Sequence, residues 1–161
     1  LPPDPVYDGR TLEFYDRPIG AGLDRFLRHV PDDCEIRRLD RDQILRTEWG
    51  PGDVELVGGL DVWEKTHINF GLMRGDEILS DAGVGQPAIG LYEPGVFTRP
   101  EHRGKGCGTL VVARLIQEIE AMGGRTYWNC AKQNLASAAI ARKLGYQIEK
   151  EYRCMVWSKT E

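Results

Sequence analysis

Long apolar runs are missing from this chain of 161 residues. No window approaches the ~18 consecutive apolar residues of a membrane-spanning helix, and no N-terminal apolar stretch reads as a secretion signal. Cysteine is sparse. The four residues Cys34, Cys107, Cys130 and Cys154 lie far apart, with no CxxC spacing. That argues against a metal site of the zinc type and for reduced thiols in a cytoplasmic protein. Internal repeats and low-complexity segments are lacking too. An acidic chain, net charge -4, without an aromatic-basic stripe does not suggest a nucleic-acid partner. The first residue is Leu rather than Met, which reads as loss of the initiator, with room for further sequence upstream.

What is present suffices for one domain over residues 1–161, since 41% hydrophobic content can fill a core at this length. Charge is uneven. Residues 1–98 hold 10 Lys/Arg against 19 Asp/Glu, a balance of -9, whereas residues 99–161 hold 11 against 6, a balance of +5. The basic part suits a polyanion, and the acidic part would steer a cation such as an amine.

Residues 1–10, rich in Pro and Asp, read as an extended arm, and residues 1–45 as an arm plus a helix. Leu23, Phe26, Leu27 and Val30 carry helical spacing up to Pro31. Cys34 to Leu39 reads as a strand and Arg41 to Trp49 as a short helix, followed by a Gly50-Pro51-Gly52 turn. Gly58-Gly59 rules out one unbroken helix from Asp53 to Glu64. His67–Met73 and Glu77–Ala82 read as two strands around an Arg74-Gly75-Asp76 turn. A third strand spans Ala88 to Thr98, interrupted near Pro94-Gly95. A helix from about Thr109 to Met122 ends at Gly123-Gly124. Thr126–Ala131 is a strand, Asn134 opens a helix through Leu144, and Tyr146–Trp157 supplies two last strands. The order is α/β, an antiparallel hairpin leading into a βαβα core.

The run Arg103-Gly-Lys-Gly-Cys-Gly108 stands between a strand and a helix. Its glycines let the backbone approach a ligand closely, Arg103 and Lys105 add positive charge, and the helix turns its free N–H groups toward the same loop. That is a pyrophosphate cradle. GxxxxGK[ST] does not fit, for want of its terminal Lys-Ser/Thr, and GxGxxG meets Thr109 where its last glycine belongs.

Thr98-x-Pro-Glu-x-Arg103 through Gly108, the helix, Trp128-Asn-Cys130, Asn134-x-x-Ser137 and Lys143-Leu-Gly-Tyr146 resemble, in order, the motifs of the GNAT acyltransferase superfamily. The resemblance covers about residues 66–157. Within the superfamily the chain is most similar to the branch of zwittermicin-type antibiotic self-resistance acetyltransferases, on Glu93-x-Gly-Val-x-Thr98, the Arg103 loop and Trp128-Asn-Cys. It implies a strongly twisted mixed β-sheet, flanked by helices and splayed between its fourth and fifth strands (about 91–98 and 126–131). It also implies acetyl-CoA as cofactor, with no metal, and a primary amine of a small molecule as acceptor, attacked directly in a ternary complex. The protein would be a monomer or homodimer.

Carried onto this sequence, the cofactor would meet Val96, Phe97 and Thr98, the loop residues Gly104, Gly106, Cys107 and Gly108 with Arg103 and Lys105, then Thr109, Asn134 and Ser137. Backbone N–H groups near Val96 to Thr98 would serve the thioester carbonyl. Asn134 is equally a favoured N-cap. Glu93 is the first choice of base, with His67 behind it. Many relatives place a Tyr acid where this chain has Ala141, so either another group serves, Ser137 first and then Cys130 or Tyr152, or the thiolate leaves without a dedicated acid. Trp128 reads as core and Tyr127 as wall; Trp49 and Trp63 read as buried packing near the acceptor. Two alternatives stay open: acyl transfer to a carrier-protein thiol, and a non-catalytic acyl-CoA-binding module.

Overall fold

The computed structural model describes residues 7–20, 22–85, 87 and 89–157. In chain order its elements are β1 (Tyr7–Tyr15), α1 (Asp24–Leu27), β2 (Glu35–Arg38), α2 (Arg41–Ile44), α3 (Gly50–Leu56), α4 (Leu60–Thr66), β3 (His67–Arg74), β4 (Glu77–Gly85), β5 (Leu91–Tyr92), β6 (Gly95–Thr98), α5 (Cys107–Ala121), β7 (Arg125–Thr126), β8 (Trp128–Ala131), α6 (Leu135–Leu144) and β9 (Ile148–Val156). A 3-10 turn, Pro100–His102, joins β6 to the glycine loop. By contact the chain divides into two compact units, Ile19–Thr126 and Leu1–Pro18 with Tyr127–Glu161.

The first unit is built on the antiparallel sheet β2-β3-β4-β6. Strand side chains alternate between faces. On one face Phe70 and Leu72 of β3 and Ala82 and Val84 of β4 are buried, and α5 packs there through Val111, Val112, Leu115 and Ile116, with Arg114 lying over the Phe70 ring at 4.6 Å. The opposite face carries Asn69 and Gly71 of β3, Asp81 and Gly83 of β4, and Gly95 and Phe97 of β6, with Gly83 opposite Gly95 and Asp81 opposite Phe97. Glycines lower that face locally, and the Asn69 amide and the Trp49 ring lie over Gly83 and Gly95.

The interruption at Pro94 divides the predicted third strand. Leu91–Tyr92 pair in parallel with Arg125–Thr126, whereas Gly95–Thr98 pair with β4. The predicted Thr126–Ala131 strand is likewise two pieces, and β8 joins the sheet of the other unit. Here the ladder common to the predicted fourth and fifth strands is only two residues long. Gly124 sits at its mouth, where a Cβ would lie 2.6 Å from the Tyr92 ring.

Gly50-Pro51-Gly52 is not a turn but the first turn of α3, where proline loses no hydrogen bond. The bend falls earlier. Thr47 Oγ1 donates to the Ile44 carbonyl and accepts from Gly50 N, and a Cβ on Gly50 would stand 1.9 Å from that carbonyl oxygen. Trp49 is held on this bend, 48% exposed rather than buried, its ring edge-on to Phe97 at 5.9 Å. Trp63 is buried as expected.

In the second unit β1 is the middle strand of the antiparallel order β8-β1-β9. The expected N-terminal arm therefore continues as strand from Tyr7, while residues 1–6 lie outside the described residues. Phe14, Trp128, Ala138, Ala141 and Leu144 form its core, α6 packing on β8. Residues 146–157 give one strand, β9, not two. A nine-pair ladder with β1 keeps it continuous.

Candidate active site

The glycine loop owes its shape to two left-handed residues. Gly104 has φ +74° and Gly106 φ +84°, a region that favours glycine, and nothing lies within 4 Å of where either Cβ would be. Gly106 then serves as N-cap of α5, with no side chain capping the helix. Its first-turn N–H groups, at Cys107, Gly108 and Thr109, are left for an outside acceptor. Lys105 Nζ donates to the Glu101 carbonyl at 2.9 Å, and Arg103 Nε to the Thr98 carbonyl at 3.0 Å. The Arg103 guanidinium also lies over Phe97. Both cations thus flank the loop. His102 is buried and faces Glu77 Oε1 at 3.3 Å, a local support. Glu77, Glu101 and His102 bring ligand-type atoms within 4.8 Å of one another, two of the three exposed.

Strand β6 is the edge of its sheet. Arg99 N donates to Leu79 O of β4, and the Phe97 carbonyl accepts from Ser80 Oγ. Alternate residues of an antiparallel strand face alternate sides. Gly95 and Phe97 therefore turn their polar backbone toward β4, and Val96 and Thr98 turn theirs outward. The outward Thr98 carbonyl is the one that Arg103 holds.

On the open sheet face lies a cavity of about 190 Å³, lined by Thr47, Trp49, Asp53, His67, Asn69, Asp81, Gly83, Glu93 and Gly95. Glu93 is in it, but on the exposed link between β5 and β6 rather than on a strand. His67 is held by Thr66 Oγ1 at 2.9 Å and stacks on Trp63. Two buried groups escape the sequence reading. Asp81 is 6% exposed and has no hydrogen bond or ion pair among the described residues. Burial pushes its carboxyl up to about 7; Arg99 pulls it down, and Glu48 and Asp53 push it further up. Asn69, 8% exposed, has an Oδ1 with no hydrogen-bond partner. Its amide leans over Gly83, where a Cβ would collide at 2.1 Å. The signal in the sequence is an Asp in the middle of a largely apolar strand, with Gly83 and Gly85 following on the same face. A larger cavity of about 400 Å³, lined by Arg46, Glu48, Phe97, Arg99 and Arg103, reaches Asp81 as well.

The remaining predicted residues belong to the second unit. Asn134 caps α6, its Oδ1 accepting from Ser137 N at 3.1 Å, which leaves the amide nitrogen exposed and able to donate. Ser137 Oγ accepts from Trp128 Nε1 at 3.0 Å. Since an indole only donates, the hydroxyl proton is left for another acceptor. Burial pushes the Cys130 thiol up, against a hydrogen bond from Ser137 that lowers it. Tyr152 Oη donates to Glu13 and accepts from Asn129, so its proton is already engaged. Ala141 is fully buried in the core, and Tyr127 stacks on Tyr15.

Among solved structures, the N-acetyltransferase-like protein of Streptococcus suis is 23% identical, with a TM-score of 0.78 over 96% of this chain and 64% of its own. A GNAT-family protein of Novosphingobium aromaticivorans is 20% identical, with a TM-score of 0.64 over 96% and 67%. A Salmonella typhimurium protein solved with its cofactor acetyl-CoA is 22% identical, with a TM-score of 0.58 over 72% and 80%. This chain thus spans about two thirds of the length of the first two. These likenesses establish the fold, and no curated protein matches the chain. The GNAT acetyltransferase family model matches residues 8–155, nearly the whole length, and the chain belongs to that family.

Proposed function

We propose that the chain transfers the acetyl group of acetyl-CoA to a primary amine of a small molecule, by direct attack in a ternary complex. One observation carries this reading: a left-handed glycine pair delivers the chain to an uncapped helix N-terminus, one short turn from an edge strand with outward N–H groups. In this reading N–H groups of residues 104–108 would hold the pyrophosphate, at the end where the dipole of α5 is positive. Arg103 and Lys105 would screen its charge. When bound, acetyl-CoA supplies the activated acetyl thioester. The Val96 N–H, beside Phe97 and Thr98, would donate to its carbonyl; one such donor is worth about 2.7–4 kcal/mol of barrier. The Asn134 amide nitrogen would hold the cofactor arm, and Ser137, whose hydroxyl bonds the Cys130 thiol in this structure, would turn its proton to the departing sulfur. Glu93 is among the residues that line the cavity where the amine would enter.

A thiol relay is not favoured. Cys107 is buried within the loop itself, and the Cys130 thiol is pushed up, away from the reactive thiolate. An amine-bearing antibiotic belongs to the proposed acceptor class, and the cytoplasm is the proposed compartment. Among the described residues no helix is long and apolar enough to cross a membrane.

The test is thermal unfolding with excess acetyl-CoA, followed by release of free CoA in the presence of a primary-amine panel. At about a hundred times its dissociation constant the cofactor should add roughly 2.7 kcal/mol, a midpoint rise on the order of 5–10 °C at this size. Amine-dependent CoA release is expected. Release only with a phosphopantetheinyl carrier would move the acceptor to a thiol, and binding without turnover would leave a binding module.

A further inference from the structure

We infer that Asp81 is the group that takes the proton from the acceptor's ammonium, with Asn69 Oδ1 holding the same nitrogen; this rests on the amine-acetyltransferase reading above. A buried carboxyl and a buried amide line one cavity. Asp81 is over nine-tenths buried with no hydrogen bond or ion pair among the described residues, and Asn69 Oδ1 is a buried oxygen with no donor. Buried polar groups are ordinarily paired. Two unpaired acceptors call for a ligand that brings several N–H donors, and a primary ammonium brings three.

The floor beneath them is made to be approached. Gly83 and Gly95 pair across β4 and β6, which lets the Asn69 amide lie over Gly83 and the Trp49 ring come close to Gly95. Asp81 is the partner of Phe97 and Gly83 that of Gly95, which brackets Val96, whose N–H faces the outer edge. The proton acceptor and the carbonyl donor are therefore one strand apart. Glu93 lines the cavity from an exposed link, where water competes for it.

Three charged groups act on Asp81. Glu48 and Asp53, from the segment above the sheet, disfavour a second negative charge, and Arg99, from the end of β6, favours it. The step moves one proton. An N–H bond of the ammonium breaks, an O–H bond of the carboxyl forms, and the nitrogen keeps the lone pair. The proton passes to water afterwards, which restores the carboxylate.

The test has two arms. In the first, without acetyl-CoA, protein carrying 13C at the aspartate carboxyl is titrated by NMR. One resonance should titrate with a midpoint of about 7, vanish in Asp81→Asn, and move to lower pH with methylammonium but not with tetramethylammonium, which has no N–H donors. In the second, benzylamine, ethanolamine and 1,4-diaminobutane are offered with acetyl-CoA. Asp81→Asn should lower kcat/KM by about 100-fold or more while the unfolding shift with acetyl-CoA persists. Its pH–rate curve should lose the limb near 7, and Glu93→Gln should keep that limb. An Asp81→Asn protein that retains both rate and limb overturns the inference. So does a wild-type resonance that ignores methylammonium. If wild type binds acetyl-CoA yet acetylates none of the amines, the functional reading fails, and the NMR arm still decides on Asp81.

Discussion

A carboxyl kept out of water must hold its proton or find a partner, and Asp81 has no partner among the described residues. Its value of about 7, against 3.8 in the unfolded chain, means that the folded protein binds the extra proton between about pH 4 and 7. Stability attributable to this group therefore falls as pH rises through that window. The gap corresponds to about 4 kcal/mol in all. Asp81→Asn should remove this dependence. Urea unfolding of both proteins at pH 5 and pH 8 should show the variant gaining on wild type at the higher pH. A constant difference would mean that Asp81 is already ionised in the fold. Asn69, with its Oδ1 buried and without a hydrogen-bond partner, is the matching case for a neutral group.

Among the elements, α5 does most for the site. Its buried side fixes it to β3 and β4, and its N-terminus is free because Gly106 turns the chain without capping it. Gly106→Val forces a β-branched residue to φ +84°, at about 1–3 kcal/mol of strain, with no clash to add, since no atom lies within 4 Å. The expected result is a lower melting midpoint and loss of the rise with acetyl-CoA. Gly106→Asn, better tolerated in that region, should melt closer to wild type. A Gly106→Val protein with the full acetyl-CoA shift would show that the loop does not hold the cofactor. The bend at Thr47–Gly50 matters in the same way, since it makes Trp49 a wall of the cavity.

At the scale of the whole molecule, the chain's two ends meet in one sheet. Tyr7–Tyr15 lie between β8 and β9, so strands over a hundred residues apart in sequence share a ladder. Phe14, fully buried, pairs with Trp128 on one side and Glu149 on the other. Phe14→Ala should cost about 3–5 kcal/mol in urea unfolding. A loss under 1 kcal/mol would mean that the middle position of β1 adds little.

Features set by local chemistry are legible along the chain. Gly75 makes the hairpin turn, Asn134 and Gly145 bound α6, Gly123 ends α5, and the glycine loop declares itself by composition. Each depends on one residue's own φ/ψ range or on a side chain bonding three positions away, and neighbours in sequence suffice for that. Placement across the sheet does not. Whether residues 7–15 form an arm or a middle strand depends on partners at 128–131 and 148–156, and whether residues 126–131 form one strand or two depends on which sheet takes each half. The identity of the acceptor carboxylate belongs to the same class. Glu93 stands out because it lies in a motif, and Asp81 because register sets it over a floor of glycines and burial strips its water. By itself the sequence determined the glycine loop, the order of elements and the family; the tertiary structure decided which buried polar groups share a cavity, because desolvation and orphaned hydrogen bonds exist only once the chain has closed around them.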